Sequence, residues 1–230
     1  MAECPLHGSE AALDGSPAAL FCVFDGHCGR NAAEAASMAL PDEVADRLAG
    51  AKEALGASAG AAALLREAFL ATDDHIATEE GCTATALLMW RDHSGDVCLQ
   101  AANVGDSSAL LIDPAVPLPP HMPSPLEPQQ TVAMLRPFAS GSNSGSEGAA
   151  ASPLRPSSPP PGPGEVAPGV LALTEDHRLT NPRERARLAA LGIQLGDNAR
   201  RLYGLNLSRG LGDKFLKDED LGKRNLCVYR

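Results

Sequence analysis

The segment Phe21-Cys22-Val23-Phe24-Asp25-Gly26-His27-Cys28-Gly29-Arg30 places a carboxylate, a glycine and an imidazole at three consecutive positions. Each suits a different task. A carboxylate at the mouth of an apolar run is a donor for a hard divalent cation, and a glycine carbonyl, unshielded by any side chain, can approach the same ion. An imidazole titrates near neutral pH, so His27 could give or take a proton there. Taken alone, Asp-Gly is also a common turn dipeptide, and a structural turn followed by a surface histidine is the competing reading. The chain has no HExxH motif, no paired histidines and no second DxD, which argues against other metal hydrolases. It also has no GxGxxG or GxxxxGK[ST] loop of the kind that opens a helix in nucleotide-binding α/β enzymes.

These residues must be positioned by the elements around them. Residues 19–24 (ALFCVF) read as a buried strand that ends at Asp25. Apolar residues at helical spacing predict a helix over 30–48 (Ala32, Ala33, Ala36, Leu40, Val44, Leu48) and another over 61–76 (Leu64, Leu65, Ala68, Phe69, Thr72). Residues 82–90 and 97–104, separated by the turn-rich 91–96, predict a β-hairpin, and 108–112 would extend it to an antiparallel meander. A short strand at 170–173 is followed by a helix starting near Asn181-Pro182 and ending at Gly192. Its expected exposed residues are Glu184, Arg185 and Arg187, set against Ala186, Leu188 and Leu191. Helices segregated from antiparallel strands predict an α+β fold.

With 230 residues, 44% of them hydrophobic, the chain can build one ordinary domain with a real core. A net charge of -10 disfavours nucleic acid and anionic lipid as partners and favours divalent cations. The six cysteines are scattered without a CxxC pair, as expected in a reducing compartment. No apolar run is long enough to span a bilayer, so a soluble, monomeric protein of the cytoplasm or nucleus is expected. Fifteen of the 19 prolines fall within residues 114–168, around a Ser/Gly tract. This predicts a disordered insertion between two parts of one domain, 1–113 and 169–230. Its PxxP-like pieces, such as Pro156-Ser157-Ser158-Pro159, could engage proline-recognising modules.

Several blocks resemble, in order, the metal-dependent serine/threonine protein phosphatases of the type 2C (PPM) family. Residues 21–29 are similar to F-x-V-F-D-G-H-x-G, Gly81-Cys82-Thr83-Ala84 to G-S-T-A, and 102–107 match A-N-V-G-D-S. Beyond the insertion, 173–177 resembles L-T-x-D-H, and the block from Ser208 to Asp213 resembles S-R-x-x-G-D. The resemblance implies an α-β-β-α sandwich, two antiparallel sheets flanked by helices, with a pair of Mn²⁺ or Mg²⁺ ions at one end. It implies that Asp25 bridges the metals, that the Gly26 carbonyl coordinates one of them, and that His27 protonates the departing serine or threonine oxygen of a phosphoprotein. Asp106, from the G-D-S block, is a secondary candidate for a weaker third metal, with turn capping as the alternative. Asp176, His177, Arg209 and Asp213 are expected to be scaffolding.

The family's pattern also includes an upstream arginine, a Met-Glu-Asp block and, later, D-G-x-W-D and D-N blocks. Here Met1-Ala2-Glu3 stands in the place of the first carboxylates, so Glu3 is a candidate metal ligand, and the later blocks are absent. The expectation is a phosphatase domain truncated at both ends, incomplete above all at the C-terminus. Two functions follow from this: a protein phosphatase, or a non-catalytic binding module (a pseudophosphatase or fragment) that keeps the fold.

Overall fold

The computed structural model describes residues 2–5, 18–50, 58–92, 94–115 and 165–217, and for 2–5, 50, 58–59 and 165–166 the backbone alone. In chain order the elements begin with β1 (Ala2–Pro5), β2 (Ala19–Val23), β3 (Gly26–His27), α1 (Asn31–Gly50) and α2 (Ser58–His75). They continue with β4 (Gly81–Cys82), β5 (Ala84–Arg91), β6 (Val97–Val104), β7 (Leu110–Ile112), β8 (Glu165–Ala167) and β9 (Val170–Ala172). The last are α3 (Pro182–Ala190), β10 (Leu211–Gly212) and α4 (Lys214–Lys217). Among the described residues all the strand pairings are antiparallel, and the architecture is α+β as expected. Two compact units divide the chain: residues 1–109 with 173–230, and residues 110–172.

The larger unit holds a four-stranded sheet in the order β1-β2-β5-β6. Alternation along β5 buries Ala84, Ala86, Leu88 and Trp90, and these pack with the helical stripes Ala32/Ala36/Leu40/Val44/Leu48 of α1 and Ala61/Leu65/Ala68/Phe69 of α2. Pro41 lies inside α1 and removes the donor for one helical bond, yet the helix continues because burial of Leu40 and Val44 on either side offsets that loss. A second cluster, Leu179, Leu188, Leu202 and Leu216, seals α3 and α4.

The predicted strand over 82–90 is broken at Thr83. Residues on its N-terminal side form β4, which pairs with β3 and β10 in a separate three-stranded sheet, while β5 pairs with β2 and β6. The break at Asp25 matches it. The Thr83 N–H donates to the Asp25 carbonyl (2.9 Å), and the Asp25 N–H donates to Thr83 Oγ1 (3.2 Å). Two neighbouring strands therefore change sheet at the same level, which leaves Asp25, Gly26 and His27 at the seam.

The expected meander does not form. β6 ends at Val104, and β7 belongs to another sheet, ordered β7-β9-β8. The strand ends just before Gly105, which has φ 94; its carbonyl accepts from the His177 N–H (2.9 Å), and its own N–H donates to His177 Nδ1 (3.2 Å). In the smaller unit β8 and β9 form a hairpin, so Glu165–Ala167 is paired strand although it falls within the 114–168 stretch read as insertion. Residues 116–164, which carry the rest of that stretch and its PxxP-like pieces, lie outside the described residues.

Helix α3 begins as expected, with the Asn181 side chain accepting from the Arg183 N–H (2.9 Å) and Pro182 in its first turn. Its faces differ from expectation. Glu184 is buried while Ala186 and Leu191 are exposed, because the Glu184 carboxylate accepts from Arg187, Arg209 and Ser208 and is worth more inside that network than in water.

Candidate functional site

The short sheet β10-β4-β3 builds the site. Its register sets His27 opposite Gly81 and Gly81 opposite Gly212, so the middle strand carries no side chain at this level. Across the gap His27 Nε2 lies 2.9 Å from both carboxylate oxygens of Asp213, which is 186 positions away in sequence. Asp213 is 1% exposed and the His27 side chain 21%, so a buried carboxylate holds a half-buried imidazole. A Cβ on Gly81 would sit 2.2 Å from Asp213 Oδ2 and 2.3 Å from His27 Nε2. The pair therefore requires glycine at that position.

The loop that carries Asp213 is tied down from α2. Asp73 Oδ1 accepts from the Gly212 N–H (2.8 Å) and from Lys217 Nζ (2.6 Å), and Lys217 Nζ also donates to the Gly210 carbonyl (2.9 Å). On the opposite side Glu80 receives the Asn31 N–H (2.6 Å) and Asn31 Nδ2 (2.9 Å), a carboxylate placed at the start of α1 where the helix dipole favours it. This fixes the turn after His27. The Cys82 thiol, between the strands, is pushed up to about 12 by burial and then by the Asp213 charge, so it stays a thiol.

Behind the sheet end lies a charged network. Burial pushes the Glu184 carboxyl up, but hydrogen bonds from Arg209, Arg187 and Ser208 outweigh it and hold the group at about 2. His177 is lowered to about 4, mainly by burial and then by Arg209, against the opposing charge of Glu184. Its carbonyl accepts from the Ser208 N–H (2.8 Å), which fixes the strand leading to Asp213.

Asp25, Gly26 and His27 lie where β2 ends and β3 begins. The Asp25 carboxylate is exposed and has no hydrogen-bond or ion-pair partner among the described residues, which is the state a cation ligand needs. Gly26 is required sterically, since a Cβ would meet the Gly29 carbonyl oxygen at 2.7 Å. Asp106 stands near the seam, because Ser107 Oγ contacts Thr83 Oγ1 (2.7 Å), but its carboxylate is taken by Arg178 at 2.6 Å. The backbone of Glu3 lies opposite Phe21, four residues and roughly 13 Å of extended chain before Asp25. Its side chain lies outside the described residues. Among the described residues no group of three or more His, Cys, Asp or Glu side chains converges to hold a metal ion. A hard divalent ion takes about six oxygen donors, so Asp25 has the right chemistry for a ligand, and the remaining donors must come from elsewhere.

The chain matches the protein phosphatase 2C family profile over residues 3–118 and 167–228, on both sides of the proline-rich stretch. The chain belongs to the protein phosphatase 2C family. Among curated proteins it is similar to protein phosphatase 2C 70 of Arabidopsis thaliana, with 30% identity over 87% of this chain and 26% of that protein. Two probable protein phosphatases of Dictyostelium discoideum are each 29% identical, over 88% and 90% of the chain and 17% and 16% of their own lengths. This phosphatase 2C chain thus spans about a quarter or less of the relatives it matches. The sequence does not single out Asp73, and Asp213 is expected there only as scaffolding; the structure sets Asp213 against His27 and Asp73 against the loop that carries Asp213. Asp73 carried a signal, a carboxylate on the apolar stripe four residues after Phe69. Asp213 carried only its place in the S-R-x-x-G-D block.

Proposed function

We propose that this chain provides part of a protein serine/threonine phosphatase site, acting on phosphoserine and phosphothreonine in protein substrates. The observation that supports it is the pairing, at one strand end, of a free Asp25 carboxylate with a His27 imidazole already held by a buried acid. Asp25 and the Gly26 carbonyl would bind Mn²⁺ or Mg²⁺, with Asp106 and Glu3 as secondary donors. When bound, a pair of such ions supplies an activated water and offsets phosphoryl charge. The residues of the chain do the rest. His27 gives a proton to the serine or threonine oxygen as its bond to phosphorus breaks, so the product leaves as a neutral hydroxyl.

The expected setting is the cytoplasm or nucleus, with the chain acting as a monomer. Residues 116–164 are read as a tether offering PxxP-like pieces to proline-recognising modules. Among the described residues no helix is long and apolar enough to cross a membrane.

A second reading, a non-catalytic binding module, is favoured by Arg178 occupying Asp106 and by the lack of a three-donor group among the described residues. One experiment separates the two: hydrolysis of a phosphothreonine peptide by the purified 230-residue chain with and without Mn²⁺, beside Asp25→Ala. Mn²⁺-dependent turnover that the variant loses supports the enzyme. A folded, monodisperse protein that turns over nothing supports the module.

A further inference from the structure

We infer that Asp213 is a positioning residue, setting the tautomer and orientation of the His27 ring; the inference rests on the reading of His27 as proton donor. A carboxylate only accepts, so with both oxygens at 2.9 Å, Nε2 keeps its hydrogen throughout; the proton given to substrate is the second one of the imidazolium, on Nδ1, and the ring is left as the neutral Nε2–H tautomer. Two equidistant acceptors also restrain the ring against rotation.

Three features show that the carboxylate is seated for this contact. Among the described residues, every hydrogen bond made by the buried Asp213 carboxylate goes to His27. The two lysines that follow it in the chain are used elsewhere: Lys217 Nζ goes to Asp73 and to the Gly210 carbonyl, and Lys214 Nζ donates to the Asp73 carbonyl at 2.6 Å. The backbone is fixed on both sides of the residue. The Asp213 N–H donates to the Glu80 carbonyl (2.9 Å), and the Asp213 carbonyl accepts from the Leu216 N–H (2.9 Å). Asp213 also holds a left-handed φ of 49, a conformation Asp and Asn tolerate better than most residues and one that glycine adopts without strain. A group serving the sheet end alone would need none of this.

The test uses Asp213→Gly, which removes both acceptors and suits the backbone, and Asp213→Asn, whose amide oxygen can still accept one hydrogen bond. Positioned acid catalysis contributes about 10²- to 10⁴-fold. Asp213→Gly is therefore expected to lower kcat on a phosphothreonine peptide by about 10²-fold with little change in KM. The loss on p-nitrophenyl phosphate should be at least about tenfold smaller, because nitrophenolate leaves with little need of a proton. Asp213→Asn should recover part of the activity. Equal losses on both substrates, or no loss on either, would overturn the proposal. A second readout is independent of turnover: at a pH where the His27 ring is neutral, its ¹⁵N signals should report an Nε2–H tautomer in the parent chain and a mixture in Asp213→Gly. An unchanged tautomer in that variant overturns the inference. A locked tautomer in a chain without turnover upholds the positioning and defeats the phosphatase reading alone.

Discussion

Replacing Gly81 with alanine tests the whole geometry with one methyl group. Its Cβ would lie 2.2 Å from Asp213 Oδ2, 2.4 Å from Asp213 Cγ and 2.3 Å from His27 Nε2. Ordinary contacts are nearer 3.5 Å, so each group must retreat by about 1 Å, and the 2.9 Å hydrogen bonds cannot survive both movements. His27 can swing toward solvent. Asp213, 1% exposed and bonded through its backbone on both sides, cannot follow. Loss of a charged hydrogen bond to a buried group costs about 1–3 kcal/mol, and overpacking costs about as much again. The expected destabilisation is about 2–6 kcal/mol, or a fall in Tm of roughly 4–24 °C for a chain of this size. Gly196→Ala is the control, since nothing lies within 4 Å of its Cβ position, and it should be neutral or slightly stabilising. Urea unfolding at pH 7 gives the difference in midpoint, and the His27 ¹⁵N signals report whether the pair persists. Equal midpoints for the two variants, with the His27 signals unchanged, would refute the packing argument.

Two further outcomes follow from the buried network. His177 is neutral in the fold, lowered to about 4 from 6.5, so the unfolded chain takes up its proton first; stability is present above pH 6.5 and lost as pH falls toward 4. The loss is about 3 kcal/mol across that window, and His177→Gln should flatten it in urea midpoints measured from pH 7 to pH 4. Glu184, held at about 2 against an ordinary 4.5, stabilises the fold above pH 4.5 and loses that contribution as pH falls to 2. Glu184→Gln leaves Arg187 and Arg209 facing a neutral partner and should cost about 3–5 kcal/mol at pH 7; a loss under about 1 kcal/mol by urea unfolding would contradict the network.

The sequence alone determined what depends on local pattern. The stripes of α1 and α2 could be read because a helix buries every third or fourth residue, and β2 and β6 because their apolar runs end in turn signals. Asp25, Gly26 and His27 were legible because they are contiguous. The tertiary structure decided what depends on residues far apart in the chain. Thr83 splits a continuous apolar run between two sheets only because Asp25 bonds to it across strands, and β6 ends just before Gly105, to which His177, 72 positions on, is bonded. Glu184 looked like a surface residue on a charged helix until Arg209, 25 positions on, came to neutralise it. Asp213 reaches His27 because the glycine strand position between them leaves the space empty, and no spacing rule in one dimension encodes a gap between strands.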